Sequence, residues 1–238
     1  EKPLSVSLHG IDHLTQLVLS KQIPVTIAYV TRHHPALQGL KQALDAGRFG
    51  VPLQVVYTGG QHFPFYRPAY RDTYYGRHAT GGGAIQDALT HMMNAAEWLV
   101  GPVTRLAADA EHCVLEGVDV EDTVHVMTRH GSVLGSFSLN QHQPANESTL
   151  TVVCERGVVR FESHNARWLS CVKPDSEWQV EEQFTLERDD LFVRQADAFL
   201  DQLDGTSAAA CSLADGLQTL RVNLAALEAV DTQSWVHL

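Results

Sequence analysis

The sequence predicts an α+β fold: an open, predominantly antiparallel β-sheet with helices packed on one face. Two observations carry that expectation. Between Val103 and Glu162 five extended segments follow one another, and stripes of apolar residues at helical spacing flank them on both sides. Adjacent strands joined by tight turns pair antiparallel, and amphipathic helices bury their stripes against such a sheet.

Taken in order, residues 8 to 21 place Leu8, Ile11, Leu14 and Val18 on one helical face, with Ser7 positioned as an N-cap. Pro24 to Tyr29 reads as a short buried strand. His34-Pro35 then opens a helix with the stripe Leu37, Leu40 and Leu44, closed by Gly47. Residues 52 to 58 form a strand, and 60 to 80, rich in aromatics, Pro, Arg and His without a period, form a long loop. A helix starts near Gly83. Strands follow at Val103–Cys113, Thr123–Arg129, Val133–Gln141, Leu150–Glu155 and Val158–Glu162, with hairpin turns at His130-Gly131 and Arg156-Gly157. Two more strands are expected between Trp168 and Leu186. Two helices end the chain. One carries Phe192, Ala196, Phe199 and Leu203; the other opens on the capping box Ser212-x-x-Asp215 and carries Leu213, Leu217, Leu220, Leu224 and Leu227.

Composition narrows the function. With 17 Lys and Arg against 28 Asp and Glu, the 238-residue chain has a formal net charge of -11 and should repel phosphate backbones. No apolar run approaches the ~20 residues that span a bilayer, so neither nucleic acid nor membrane is an expected partner. Cys113, Cys154, Cys171 and Cys211 are scattered and suit a reducing compartment, which makes the cytoplasm the expected location. Asn146-Glu147-Ser148 fits a glycosylation sequon, a pattern short enough to recur by chance. The chain opens on Glu1-Lys2-Pro3 without a Met, as a processed or partial chain does.

The segment T-G-G-G-A-I-Q-D-A-L-T-H, residues 80 to 91, is the densest in chemistry. At 100° per residue, Ile85, Leu89, Met92, Ala96 and Leu99 form a core stripe, and Asp87, His91, Asn94 and Trp98 gather on the opposite side. The Trp implies that something covers this second face. Glycines allow close backbone approach, and a helix N-terminus favours an anionic Asp87 by roughly 0.3–1 kcal/mol. Asp87 would raise the pKa of His91 and a nearby cation would lower it; balanced between them, the imidazole suits a general base near neutral pH. An i,i+4 Asp–His pair is, by spacing alone, more often a surface pair worth a few tenths of a kcal/mol. A phosphate loop is excluded, because neither G-x-x-x-x-G-K-[ST] nor G-x-G-x-x-G occurs.

Other residue clusters stay ambiguous. His33, His34, His62, His78, His112, His125, His130, His142 and His164 include no H-E-x-x-H or H-x-H pair, so no metal site is expected. Tyr66, Tyr70, Tyr74 and Tyr75 with Arg67, Arg71 and Arg77 fit either a sugar- or carboxylate-binding loop or a rigid aromatic one.

Three motifs in fixed order resemble the Gfo/Idh/MocA family of NAD(P)-dependent oxidoreductases. Glu1-Lys2-Pro3 matches its E-K-P, Tyr29 to Pro35 its Y-x-x-R-[FH]-x-P, and Gly81 to His91 its G-G-G-x-x-x-D-x-x-x-H. The resemblance implies hydride transfer between NAD or NADP and a sugar or polyol hydroxyl. It implies Lys2, Asp87 and His91 as catalytic residues, with His91 the general base. Tyr29, Arg32, Tyr75 and Asn94 would bind substrate, and Lys2 and Arg32 would lie at the cofactor. It further implies that residues 1–30 are the remnant helix and strand of a Rossmann domain and 31–238 a substrate-binding and oligomerisation domain. The isolated chain is then expected to be inactive and not to bind the dinucleotide, and the open sheet face is expected to form a homo-oligomer. Two alternatives from other classes are a non-catalytic ligand-binding or assembly module and a metal-dependent hydrolase.

Overall fold

The computed structural model describes residues 1–238. Nine strands form one sheet: β1 (Pro52–Gly60), β2 (Arg105–Glu111), β3 (Thr123–His130), β4 (Val133–Asn140), β5 (Glu147–Cys154), β6 (Gly157–Glu162), β7 (Arg167–Cys171), β8 (Gln179–Gln183) and β9 (Val236–His237). Their order is β8-β7-β6-β5-β1-β4-β3-β2-β9. Every pair is antiparallel except β1–β4, which is parallel, with Gln54 opposite Leu134 and Gly60 opposite Asn140. The predicted fold class is therefore the one observed. The two-residue β9 has too little sequence to show a period.

Alternation decides which face is inner. Val133, Phe137 and Leu139 of β4 and Val124 and Val126 of β3 enter the core, whereas Leu134 and Met127 lie exposed on the outer face. Side chains two residues apart share a face, so one register fixes both sets.

Six helices accompany the sheet: α1 (Ile11–Lys21), α2 (Pro35–Asp45), α3 (Phe63–Tyr66), α4 (Thr90–Val100), α5 (Asp190–Leu203) and α6 (Leu213–Thr232). α2 starts where Pro35 takes the first helical position and the His34 imidazole, at Nδ1, accepts from the Ala36 N–H at 3.2 Å. Its Leu37, Leu40 and Leu44 join Phe161 and Trp168 of β6 and β7 in the main core. Each such fully buried leucine contributes about 1.5–3 kcal/mol. α6 begins with the predicted reciprocal capping box between Ser212 and Asp215. Its buried seam differs from the leucine stripe: of the five expected leucines only Leu220 is fully buried, beside Gly216, Thr219, Asn223 and Ala226. Small and polar residues there let α6 approach α4, and hydrogen bonds replace part of the apolar contact.

Three expectations at the chain's periphery are corrected. Pro24–Tyr29 is irregular rather than a strand, because the Ile27 N–H bonds to the Cys211 carbonyl at 2.9 Å in place of a neighbouring strand, and Ile27, Tyr29 and Cys211 make a small separate cluster. α1 is capped at Gly10 rather than Ser7 and buries only Ile11 of its predicted stripe. α5 has the expected extent, yet none of its residues is fully buried; Phe192, Phe199 and Leu203 stay exposed. In both helices the amphipathic pattern is real, and no element of this chain is packed over it.

Candidate functional site

The three glycines set the entrance to α4. Gly83 adopts φ +90°, a left-handed conformation that glycine tolerates, and a side chain there would strike the Glu121 carboxylate. At Gly82 a Cβ would lie 1.9 Å from the Tyr75 carbonyl oxygen, so only glycine lets residues 75–77 pass this close. The long 60–80 segment is folded onto this point: it contains α3 and three 3-10 turns, with Phe63, Tyr70 and Tyr75 buried together with Leu115, Val118 and Val120. Glu121, itself buried, accepts from the Ile85 N–H at 2.8 Å and meets His78 Nε2 at 2.5 Å, so it satisfies a first-turn donor that no helical carbonyl reaches.

The helix does not start as an ideal α-helix. Ile85–Leu89 is a π-turn that runs directly into α4. Such widened turns are rare and concentrate at functional sites. Asp87 lies inside the π-turn and His91 just after it, so both open onto a cavity of about 500 Å³. From the chain's beginning, Lys2 reaches the same place: its Nζ donates to the Asp87 carbonyl oxygen at 2.5 Å and to Oδ1 at 2.9 Å. The Tyr74 hydroxyl donates to the same Oδ1 at 2.7 Å. One carboxylate oxygen thus holds both donors and Oδ2 is left for a ligand. Burial, and then this hydrogen bond to an anion, push the Tyr74 phenol well above its ordinary pKa, so it remains a donor.

His91 behaves differently from the balanced base that its neighbours suggest. Burial, reinforced by the Lys2 ammonium and only partly opposed by Asp87, lowers its pKa to about 3. Desolvation outweighs both charges, and the imidazole is neutral throughout the physiological range. It makes no hydrogen bond with Asp87; its ring stands edge-on to Tyr29 at 5.9 Å between centroids, and its buried Nδ1 has no hydrogen-bond partner. Gln195 of α5 presents a second buried, unpartnered atom, Oε1, and lines the same cavity. Buried polar atoms are nearly always paired, and these two unpartnered ones belong to side chains that line one cavity.

The other residues singled out from the sequence lie elsewhere. Arg32 is buried; Nε donates to Asn94 Oδ1 at 2.7 Å, Nη1 donates to the Ala210 carbonyl at 2.9 Å, and Asp215 is 3.4 Å away. The Asn94 amide in turn donates to Thr219 Oγ1 at 2.9 Å. These two side chains tie the turn at Val30–His33 to α4 and α6, away from the cavity. Trp98 is covered from the same side, with the Arg32 and Lys41 cations 5.6 and 5.8 Å from its ring. The cover inferred for that face is therefore the chain's own 30–41 segment. Tyr29 is buried with its hydroxyl 2.9 Å from Thr90 Oγ1, to which the Asn223 amide also donates. Tyr75 is buried against Gln141. The fold brings Lys2, Asp87 and His91 together and sets Tyr29 behind the imidazole.

Tyr74, Arg67 and Gln195 complete the cavity wall, and sequence reasoning did not place them there. Tyr74 and Arg67 belonged to an aromatic–arginine cluster without a period, and Gln195 sat within a stripe read for its apolar residues alone. Across the chain no three His, Cys, Asp or Glu side chains are grouped as metal ligands, and no helix is long and apolar enough to cross a membrane.

Comparison with known proteins bears on this arrangement. A model of the GFO/IDH/MocA C-terminal domain matches residues 37–160. The inositol 2-dehydrogenases of Pseudomonas savastanoi pv. phaseolicola and Pseudomonas syringae pv. syringae are each 28% identical over 101 residues, 42% of this chain and 27% of the relative. The match thus spans about a quarter of those curated relatives' length. Among solved structures, levoglucosan dehydrogenase in complex with NADH superposes with a TM-score of 0.88 at 20% identity, covering 99% of this chain and 72% of the other. An NAD-binding oxidoreductase from Klebsiella pneumoniae gives 0.85 at 17% identity, with 99% and 72% covered. Those structures share the fold, and with the family match over more than half its residues the chain belongs to the GFO/IDH/MocA family.

Proposed function

We propose that this chain forms the substrate side of an NAD(P)-dependent dehydrogenase that oxidises a secondary hydroxyl of a sugar or polyol. The observation that carries the reading is the neutral His91, with an unpartnered buried Nδ1, opening on the same cavity as an Asp87 carboxylate fixed by Lys2 and Tyr74. Structural relatives include levoglucosan dehydrogenase bound to NADH and levoglucosan, which supports a carbohydrate-like ligand.

When bound, the nicotinamide would supply the hydride acceptor. This chain's residues supply the rest. The free Oδ2 of Asp87 accepts from a substrate hydroxyl and orients the ring. Lys2 donates to the reacting oxygen and keeps the local potential positive, which opposes protonation of the imidazole before the substrate arrives. His91 accepts the hydroxyl proton. A base of low pKa suffices, because an alcohol losing hydride becomes a protonated carbonyl, a far stronger acid than the alcohol. The residues present fit the reacting end of the dinucleotide and not its pyrophosphate, for which no glycine-rich strand–helix turn occurs in the sequence. On this reading residues 1–30 end a nucleotide-binding unit, 31–238 are the substrate unit, and the exposed apolar sides of α1 and α5 face the former. The outer sheet face, with Met127 and Leu134, serves self-association. Four unpaired cysteines suit a cytoplasmic setting.

Imidazole NMR of the chain titrated with levoglucosan and myo-inositol tests the reading. Saturable shifts of the His91 resonances are expected; their absence for every sugar and polyol up to about 10 mM, roughly ten times a millimolar Kd worth about 4 kcal/mol, overturns it. NADH fluorescence should show no saturable binding to this chain alone, and a micromolar affinity would refute that part.

A further inference from the structure

A second cleft of about 250 Å³ adjoins the main cavity on the side of the 60–80 segment. The two share Phe63, Arg67 and Tyr74, whose side chains form the wall between them. Tyr66, Tyr70 and Tyr75 make its apolar walls. They are held in place: Phe63 and Tyr75 lie 4.5 Å apart between ring centroids, and the Tyr70 hydroxyl donates to the Glu116 carbonyl at 2.7 Å. The partition is a rim, since Arg67 and Tyr74 are exposed and only Phe63 is buried beneath them.

We propose that this cleft is the subsite for a second sugar ring, so that the substrate is a two-ring saccharide whose reacting ring lies beside His91. This rests on the carbohydrate reading above and narrows it. The size is below the ~300 Å³ at which pockets begin to hold drug-sized ligands, and suits a single ring. The chemistry is that of a pyranose: aromatic walls meet its C–H faces, while hydroxyls need donors and acceptors at the edge. Arg67 provides those donors. Its guanidinium is engaged in no ion pair, its one hydrogen bond within the chain being Nη1 to the Tyr66 carbonyl at 3.4 Å. Tyr74 spans the junction, with its hydroxyl on Asp87 and its ring forming part of the cleft wall. A glycosidic oxygen crossing the rim would pass over that ring.

Calorimetry on the full chain with glucose and myo-inositol as single-ring probes and cellobiose, maltose and trehalose as two-ring probes decides the matter. At least one disaccharide should bind about tenfold more tightly than either single ring, and Tyr66→Ala, a change at an exposed position, should bring that ratio below about twofold. On the unaltered protein, magnetisation transfer should place the second ring against tyrosine protons. Disaccharides that bind no better than single rings, or a ratio unchanged by Tyr66→Ala, would overturn the subsite while leaving the single-ring reading intact. Failure of every saccharide to bind would remove both.

Discussion

Lys2 and Asp87 are 85 positions apart in sequence and are joined twice, through the carboxylate and the carbonyl oxygen of the same aspartate. The contact fixes the start of the chain to the π-turn that leads into α4 and puts a cation next to His91. Replacing it has a defined electrostatic sign. In Lys2→Met the His91 pKa should rise from about 3, because the cation that disfavours the imidazolium is gone while Asp87 remains. An NMR pH titration of the His91 ring reads this directly, and a fall in pKa would contradict the assigned geometry.

Arg32 offers the opposite test. Its guanidinium is engaged by Asn94, the Ala210 carbonyl and Asp215, so its role is to bind elements together. Arg32→Ala leaves the Asn94 and Ala210 acceptors unpaired and should cost about 1–3 kcal/mol for each that stays buried. Urea unfolding measures that loss. Sugar binding by the folded fraction should change less than about twofold; a much larger change at unaltered stability would move Arg32 back to the ligand.

Gly82→Ala should destabilise the chain without any change in charge. The added methyl would meet the Tyr75 carbonyl oxygen at 1.9 Å, and the atoms it strikes, in Tyr75 and Arg77, are all backbone. Overpacking of this kind costs about 1–3 kcal/mol, or a melting point lower by several degrees at this chain length, each kcal/mol being worth about 2–4 °C. Gly76→Ala, where the nearest atom is the Val118 methyl at 3.4 Å and the backbone is not left-handed, controls for crowding.

Acid should weaken the fold before its carboxylates titrate. His34 and His91 are held neutral, with pKa values lowered to about 4 and about 3, each chiefly by burial. An unfolded histidine titrates at about 6.5. The unfolded state therefore binds more protons than the folded one between those limits, and stability falls as pH drops from about 6.5 toward 4. His34 has a further reason to stay neutral, since its Nδ1 accepts the Ala36 N–H that starts α2. Urea midpoints at pH 7 and pH 5 should differ, and His34→Asn, which keeps a cap acceptor without the titration, should shrink the difference.

The sheet was legible because its signal is local: alternation in β3 and β4 and glycine turns survive in any context. The meeting of Lys2, Asp87 and His91 was legible through motif order, which needs no geometry. Arg32, Asn94 and Tyr75 were misplaced for a common reason. A polar residue beside a motif looks the same whether it faces a ligand or satisfies another buried side chain, and only the partners Thr219, Asp215 and Gln141, remote in sequence, separate the two. The basicity of His91 failed on burial, which spacing does not encode. Pro24–Tyr29 has strand-like residues but no strand beside it, a tertiary fact that overrides propensity.

The place of β1 in the sheet bears on how the chain is made. β1 is flanked by β4 and β5, and Gln54 meets its parallel partner Leu134 across 80 residues of chain. At about 5–20 residues per second on the ribosome, β1 waits about 4–16 s with both edges bare before a partner strand is synthesised. Its Val55, Val56 and Tyr57 are then the first hydrophobic run of the sheet to be exposed, and stay so until β4 and β5 are made. Vectorial synthesis therefore makes this central strand, rather than either sheet edge, the segment most in need of a holding chaperone.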